Sequence, residues 1–278
     1  MFAMKKILFP VDFSERCTSA ARMVEAFVGH FQAELTILHV VEPLTYNELP
    51  NAIGTVEHQI KTYLADELKQ FDVHRELVHG DPAEQIVQYA HAGKFDLTML
   101  PTHGYGRFRR FIIGSVAAKV LHDADCPVWT GVHMEKVPRL EDVAFRHVAC
   151  AIDLDNSQSC RALRWAMQFA LEMDAQMTII HAVPGASETA KCLGLRAHRS
   201  KATSRAKQKI EGMRDSIGSE AEISVVADEV PRAVRGGVEN AKADLLVIGR
   251  SAEHGVIGRL RTNAYSIIRQ SPCPVVSV

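Results

Sequence analysis

The chain has 278 residues, of which 47% are hydrophobic and 23% charged, and its formal net charge is -1 at pH 7. This length suits one large domain or two ordinary ones, and the composition is that of a globular protein and not a disordered one. There is no basic excess of the kind that binds nucleic acid or an acidic membrane surface, and no apolar run approaches the ~18 residues that span a bilayer.

The opening residues, MFAMKKILFPVDFS, place two lysines before a short apolar stretch that ends at Asp12. They read as a first strand and not as a signal peptide, so the expected location is the cytoplasm. The predicted elements then run in order. Strand Ile7–Val11 leads into a helix over Ser14–His30 with Ser14 as its N-cap. Strand Leu35–Val40 follows, then a long polar-amphipathic helix, and then a strand in the HRELVHG stretch. A helix opens near Pro82, where proline suits a first helical turn. Strand Leu97–Leu100, a loop, another helix and a last strand starting at Val128 complete the series. Residues 131–145, GVHMEKVPRLEDVAF, read as a linker.

The same series then repeats. Strand Val148–Ile152 precedes a helix over Asn156–Met173 capped by Asn156; strand Met177–Ala182, a long helix, a strand in AEISVVA, a helix near Pro231, strand Leu245–Ile248, a helix and a strand from Val275 follow. The repeat is visible in the residues themselves. KKILFPVD matches RHVACAID, ELTILHVV matches QMTIIHAV, FDLTMLP matches ADLLVIG, and DCPV matches PCPV. The offset is 141 residues between Asp12 and Asp153 and 147 between Cys126 and Cys273, so the copies differ by short insertions. The expected domains are residues 1–133 and 146–278, each of ordinary domain size. Strands alternating with helices predict an α/β fold of two tandem doubly wound domains, each with a parallel sheet covered by helices on both faces.

The six cysteines form no C-x-x-C pair and read as reduced thiols. Cys126 and Cys273, each before a proline at matched places, suggest packing.

In an open α/β sheet, ligands bind beyond the carboxyl ends of the strands, at the point where strand order reverses. That selects Pro10–Ser14, His39–Glu42 and Pro101–Ser115 in the first copy. In the last of these, Gly104 and Gly106 let backbone fold close to a ligand. Gly114-Ser115 opens a helix, whose free N–H groups and dipole favour phosphate.

These residues resemble those of the universal stress protein family. Its ATP-binding members carry G-x-x-G, nine residues, then G-S or G-T. The first copy has Pro101-x-x-Gly104, nine residues, then Gly114-Ser115, together with P-V-D-F-S, the strand ending L-H-V and the terminal C-P-V. The resemblance covers nearly the whole chain. It implies a five-stranded parallel sheet in each copy, like that of the adenine nucleotide α-hydrolases, and an ATP site in the first copy. Asp12 would accept hydrogen bonds at the adenine end, Val40 would meet the base through its backbone, and Gly104, Gly114, Ser115 and Val116 would cradle phosphates. Pro10, Pro101 and His103 complete the implied set. ATP, with or without Mg, is the implied ligand, and another adenine nucleotide is the alternative.

Two departures qualify the pattern. Pro101 stands where the first Gly would be and has no N–H to donate. In the second copy Gly249-x-x-Ala252 is followed by eight residues and Arg261-Thr262, so Arg261 takes the place of Gly114. Arg261 either fills the phosphate cavity, the favoured reading, or reaches an anion as a donor. The second copy is therefore expected to bind nucleotide weakly or not at all.

Other features have plain readings. Arg107, Arg109 and Arg110 flank the first loop, and the basic stretch 195–209 reads as a solvated helix face, with an acidic partner as the alternative. His122, Asp123, Asp125 and Cys126 have the spacing of a helix end more than of a metal site, and His39 and His181, matched across the copies, suggest a structural hydrogen bond. No Walker loop, H-E-x-x-H or G-x-S-x-G is present. The resulting expectation is a non-enzymatic nucleotide-binding stress or signalling module, at most hydrolysing ATP slowly. The alternatives are an interaction module with a vestigial site, or an enzyme of the wider nucleotide superfamily, whose S-G-G-x-D-S and H-I-G-H signatures do not occur. The expected partners are an intramolecular pseudo-dimer of the two copies, a possible C2 homodimer and protein partners of unknown identity. Nucleic acid and membrane are not expected.

Overall fold

The computed structural model describes residues 2–42, 52–101, 113–131, 143–154, 159–183, 196–250 and 259–278. The chain forms two compact units, Ala3–Val143 and Ala144–Val278, the second also taking in Phe2.

The first unit contains β1 (Lys6–Pro10), α1 (Glu15–Phe31), β2 (Glu34–Val41), α2 (Ala52–Thr62), β3 (Val73–His79), α3 (Pro82–Gly93), β4 (Leu97–Pro101), α4 (Ser115–Asp123) and β5 (Val128–Gly131). Its strands run in the order β3-β2-β1-β4-β5, and every pair within the unit is parallel. The second unit contains β6 (His147–Ala151), α5 (Ser159–Glu172), β7 (Gln176–Ala182), α6 (Arg196–Ser216), β8 (Glu222–Val226), α7 (Val230–Ala241), β9 (Leu245–Ile248), α8 (Arg259–Gln270) and β10 (Val275–Ser277). Its order, β8-β7-β6-β9-β10, repeats the first, again all parallel. The doubly wound α/β fold expected from the repeat is present in both copies.

Apolar runs without alternation form the central strands, because helices cover both faces. Ile7, Leu8 and Phe9 of β1 and Leu97 and Met99 of β4 are fully buried, as are Val148, Ala149 and Cys150 of β6 and Leu245, Leu246 and Val247 of β9. β3 and β8, each at one end of its order, carry no buried residue and mix polar with apolar side chains. Helix α1 supplies Ala20, Val24, Phe27 and Val28 to the first core, and α5 supplies Ala162, Ala166 and Phe169 to the second. Trp165 stacks on Phe169 at 5.2 Å, with Phe2 and Phe145 edge-on to the same cluster.

Helix ends confirm some local expectations and correct others. Pro82 sits in the first turn of α3, and the Asp81 carboxylate caps it by accepting from the Glu84 N–H at 2.9 Å. Ser14 is the N-cap of α1, but its hydroxyl makes no capping bond. The strand and helix limits shift by about one residue. Asn156, the other expected cap, lies outside the described residues, as does most of the linker.

One brace occurs in both copies. The Asp96 carboxylate, just before β4, accepts from the Lys5 and Lys6 backbone N–H groups at 2.7 and 2.9 Å. Asp244, just before β9, does the same for Arg146 and His147 at 2.8 and 2.9 Å. Each carboxylate closes the ladder where the first and fourth strands of its copy begin side by side. Asp96→Ala and Asp244→Ala are each expected to cost roughly 1–2 kcal/mol, the range for charge-assisted bonds at a partly solvated site. Urea unfolding measures this, and a loss within error of zero would show that the brace is incidental.

Candidate functional site

The order β3-β2-β1-β4-β5 places the reversal of the first unit between β1 and β4, and the carboxyl ends of these strands bring the expected residues to one edge. Pro10, the buried last residue of β1, pairs with Leu38. Asp12 follows two residues later with its side chain at the surface. Val40, half-buried, lies next to last in β2 and pairs with Val78. Pro101 ends β4 opposite Gly131. Gly114 is buried and is the N-cap of α4, followed by exposed Ser115 and half-buried Val116. The Ala118 N–H donates to the Gly114 carbonyl at 2.8 Å and closes the first helical turn. The N–H groups of Ser115, Val116 and Ala117, which precede that bond, have no intrahelical acceptor. His103, Gly104, Gly106 and the arginines at 107, 109 and 110 lie outside the described residues.

Asp12 is held in place by its neighbours. Its Oδ1 accepts from the Ser14 N–H at 3.0 Å and from the Cys17 thiol at 3.1 Å. Partial burial pushes its pKa up, but the hydrogen bonds from Ser14 and Cys17 outweigh this and hold the carboxyl below the ordinary 3.8. The Cys17 thiol moves the other way. Burial and the adjacent Asp12 charge push it up to about 12. Asp12 thus stays a carboxylate acceptor while Cys17 stays a protonated donor. The buried Ser14 hydroxyl stands beside them and adds to the pull that holds the Asp12 carboxyl down.

Between Asp12 and Ser14 the chain turns through Phe13 at φ 59°, a left-handed conformation that costs a non-glycine residue about 1–2 kcal/mol. Ring packing holds it there. The Phe13 ring lies 4.3 Å from the His39 ring and edge-on to Tyr63 at 5.2 Å. His39 Nδ1 is 2.7 Å from the Val11 carbonyl oxygen. A carbonyl only accepts, so Nδ1 carries the proton. His181 makes the same bond to the Ile152 carbonyl at 2.9 Å, and the structural role expected for this matched pair is present in both copies. The Tyr63 hydroxyl lies 3.3 Å from Thr18 Oγ1, and burial raises its pKa to about 12. No sequence signal marked this aromatic group, since a left-handed Phe carries no glycine to announce it.

In the second unit the equivalent edge surrounds a cavity of about 590 Å³. Ile152, Asp153 and Leu154 after β6, His181 and Val183 at the end of β7, and Gly249 after β9 line it from the sheet side. Arg205 and Lys209 of α6 face it from outside. Ser159 locks the turn after β6. Its hydroxyl donates to the Asp153 carbonyl at 2.6 Å and accepts from the Asp153 N–H at 3.0 Å. The side chain of Arg261 is outside the described residues.

Among the described residues no three His, Cys, Asp or Glu side chains are grouped to hold a metal. His122 pairs with Asp123, and Asp125 pairs with His91 at 2.7 Å. No helix among the described residues is long and apolar enough to cross a membrane.

The profile of the universal stress protein family matches residues 4–130 and 144–278, once for each copy. Two universal stress proteins of Methanocaldococcus jannaschii are 32% and 28% identical to this chain over 136 and 149 residues. Each alignment covers 45% of this chain, with 79% and 92% of the relative. The crystal structure of a universal stress protein from Archaeoglobus fulgidus superposes with a TM-score of 0.77 at 21% identity, covering 99% of this chain and 98% of that one.

Two tests follow from the geometry at Asp12. A carboxyl whose folded pKa is depressed contributes stability above its unfolded pKa and loses it as the pH falls through the folded value. Asp12→Asn is therefore expected to flatten the fall in urea-unfolding stability below pH 3.8; an acid limb identical to the parent's would show that the carboxyl is not held. The thiols should also sort by burial. With iodoacetamide at pH 8, exposed Cys160 is expected to label fast, and buried Cys17, Cys150 and Cys273 slowly. Peptide mass spectrometry reads the order, and rapid labelling of Cys17 would contradict the Asp12–Cys17 pair.

Proposed function

The chain belongs to the universal stress protein family, and we propose that its first copy is an adenine-nucleotide site, with ATP as the ligand, serving a binding or signalling role and not catalysis. One observation carries this reading. Asp12, Val40, Pro101 and the Gly114–Val116 helix start stand together at the carboxyl edge of one sheet, beside its switch point.

The residues present suit such a ligand. The α4 N-terminus offers free N–H groups to phosphate, and Gly114, buried and without a side chain, leaves the approach open. Asp12 is a fixed carboxylate that can accept from the polar groups of a nucleoside. The phosphates bring polyanionic charge to the helix start, with or without a divalent cation. Pro101 supplies no N–H, so this site holds phosphate through the helix start and not through the first residue of the loop. Cys17, the thiol beside Asp12, is protonated and buried and so is not an activated nucleophile.

The second copy is proposed to be silent toward ATP, since Arg261 takes the place of Gly114. Pairing of the two copies as an intramolecular pseudo-dimer, a C2 homodimer of chains and a cytoplasmic location belong to the same proposal. A second reading, an interaction module with a vestigial site, is favoured by Pro101 and by the degenerate second loop.

Mass spectrometry of small molecules released from freshly purified protein, followed by calorimetric titration with ATP, AMP and cyclic AMP, tests the proposal. One ATP per chain is expected. Asp12→Ala is expected to weaken binding roughly tenfold, and Gly114→Arg, which copies the second domain, to abolish it. Two ATP per chain would overturn the assignment of the second copy. No binding of any adenylate would overturn the first and leave the interaction module.

A further inference from the structure

The second-unit cavity stands at the same edge but presents different chemistry. Its volume of about 590 Å³ falls in the range of small-molecule sites. The floor is apolar: Ile152, Ala206, Val234, Ile248 and Ile267 line it, and none is more than 8% exposed. Apart from His181, the charged lining residues are one acid, Asp153, and two bases, Arg205 and Lys209. The two bases are one turn apart on α6, with exposed side chains and no ion pair among the described residues. His181 Nδ1 is already bonded to the Ile152 carbonyl. The basic stretch on α6 is therefore more than a solvated face, because two of its cations overhang an apolar hollow.

Charge and shape together select a ligand class. A triphosphate brings three or four negative charges, whereas among the described residues the lining carries a net charge of one positive unit, Arg205 and Lys209 against Asp153. The Ile152, Ala206, Val234, Ile248 and Ile267 floor stabilises an apolar body more than a hydroxylated sugar, although Asp153, Ser159 and Asn263 also line the cavity. We propose that the second unit binds a monocarboxylate with an apolar body, a medium-chain or aromatic acid. The body lies on the Ile152–Val234–Ile267 floor, and the carboxylate bridges Arg205 and Lys209 at the mouth. Arginine offers a planar two-point match to a carboxylate, and lysine adds a point charge. This assignment goes beyond the ATP proposal and stands independently of it.

The test uses the full chain and 8-anilinonaphthalene-1-sulfonate, a fluorescent monoanion with an apolar body. Decanoate is expected to displace the probe, and decanol, which lacks the charge, to do so at least roughly tenfold less well. The double variant Arg205→Ala, Lys209→Ala changes exposed positions only. It is expected to lose decanoate affinity roughly tenfold or more while its ATP titration stays that of the parent. ATP itself is expected to leave the probe in place. The assignment is overturned if decanoate fails to displace the probe, if the double variant binds decanoate like the parent, or if ATP displaces the probe one for one. The last outcome would make the cavity a nucleotide site. Loss of ATP binding with decanoate binding intact would count against the first-copy proposal alone.

Discussion

β1 and β4 in one unit, and β6 and β9 in the other, are buried along nearly their whole length on both faces. Such strands have little room for polar side chains, and Thr98 of β4 is buried with its hydroxyl 3.2 Å from the Cys126 sulfur. The rest of the molecule follows from this. Polar groups gather at the two edges of each sheet, and the two edges do different work. At the amino edge Asp96 and Asp244 satisfy backbone N–H groups where the first and fourth strands begin. At the carboxyl edge, beside the switch point, lie Asp12 and the α4 helix start in one copy and the cavity in the other.

The copies agree wherever the sheet needs them to and diverge where a ligand would sit. The Asp96 and Asp244 braces match, as do the His39 and His181 bonds to the strand-one carbonyls. The turn after the first strand does not match. In the first unit Asp12 is clasped through its side chain by Ser14 and Cys17, whereas in the second Asp153 is clasped through its backbone by Ser159. Asp153 also lines the cavity of that unit.

Much of this was legible in the residues. Unbroken apolar runs such as KILFP and LLVI mark doubly buried strands, and the internal repeat made each reading check the other. The candidate edge was legible because Asp12, Val40, Pro101 and Gly114 all stand just inside or just past an element boundary. Long-range chemistry was not legible. Asp96 reaches a backbone 91 residues away, although an Asp before both Leu97 and Leu245 was there to be noticed. The Cys17 thiol on Asp12 looks in sequence like one more buried cysteine. The left-handed Phe13 depends on rings from β2 and from Tyr63, just past α2, which no local signal combines. In sequence Arg205 and Lys209 look like the other α6 cations, and it is the cavity they line that sets them apart.

The position of β1 between β2 and β4 has a consequence for the newborn chain. β1 and β2 are joined through α1, and Val11 bonds to Leu38 once both strands have been made. The other side of β1 waits for Leu97 and Thr98, so an apolar edge stays unpaired until residues 42–98 have also left the ribosome. The second domain repeats the wait, with Val148 open until Leu245 arrives. In each half of the polypeptide, then, the edge that would receive a ligand is among the last parts of its sheet to assemble, and the interval before it closes is when the nascent protein is most exposed to aggregation.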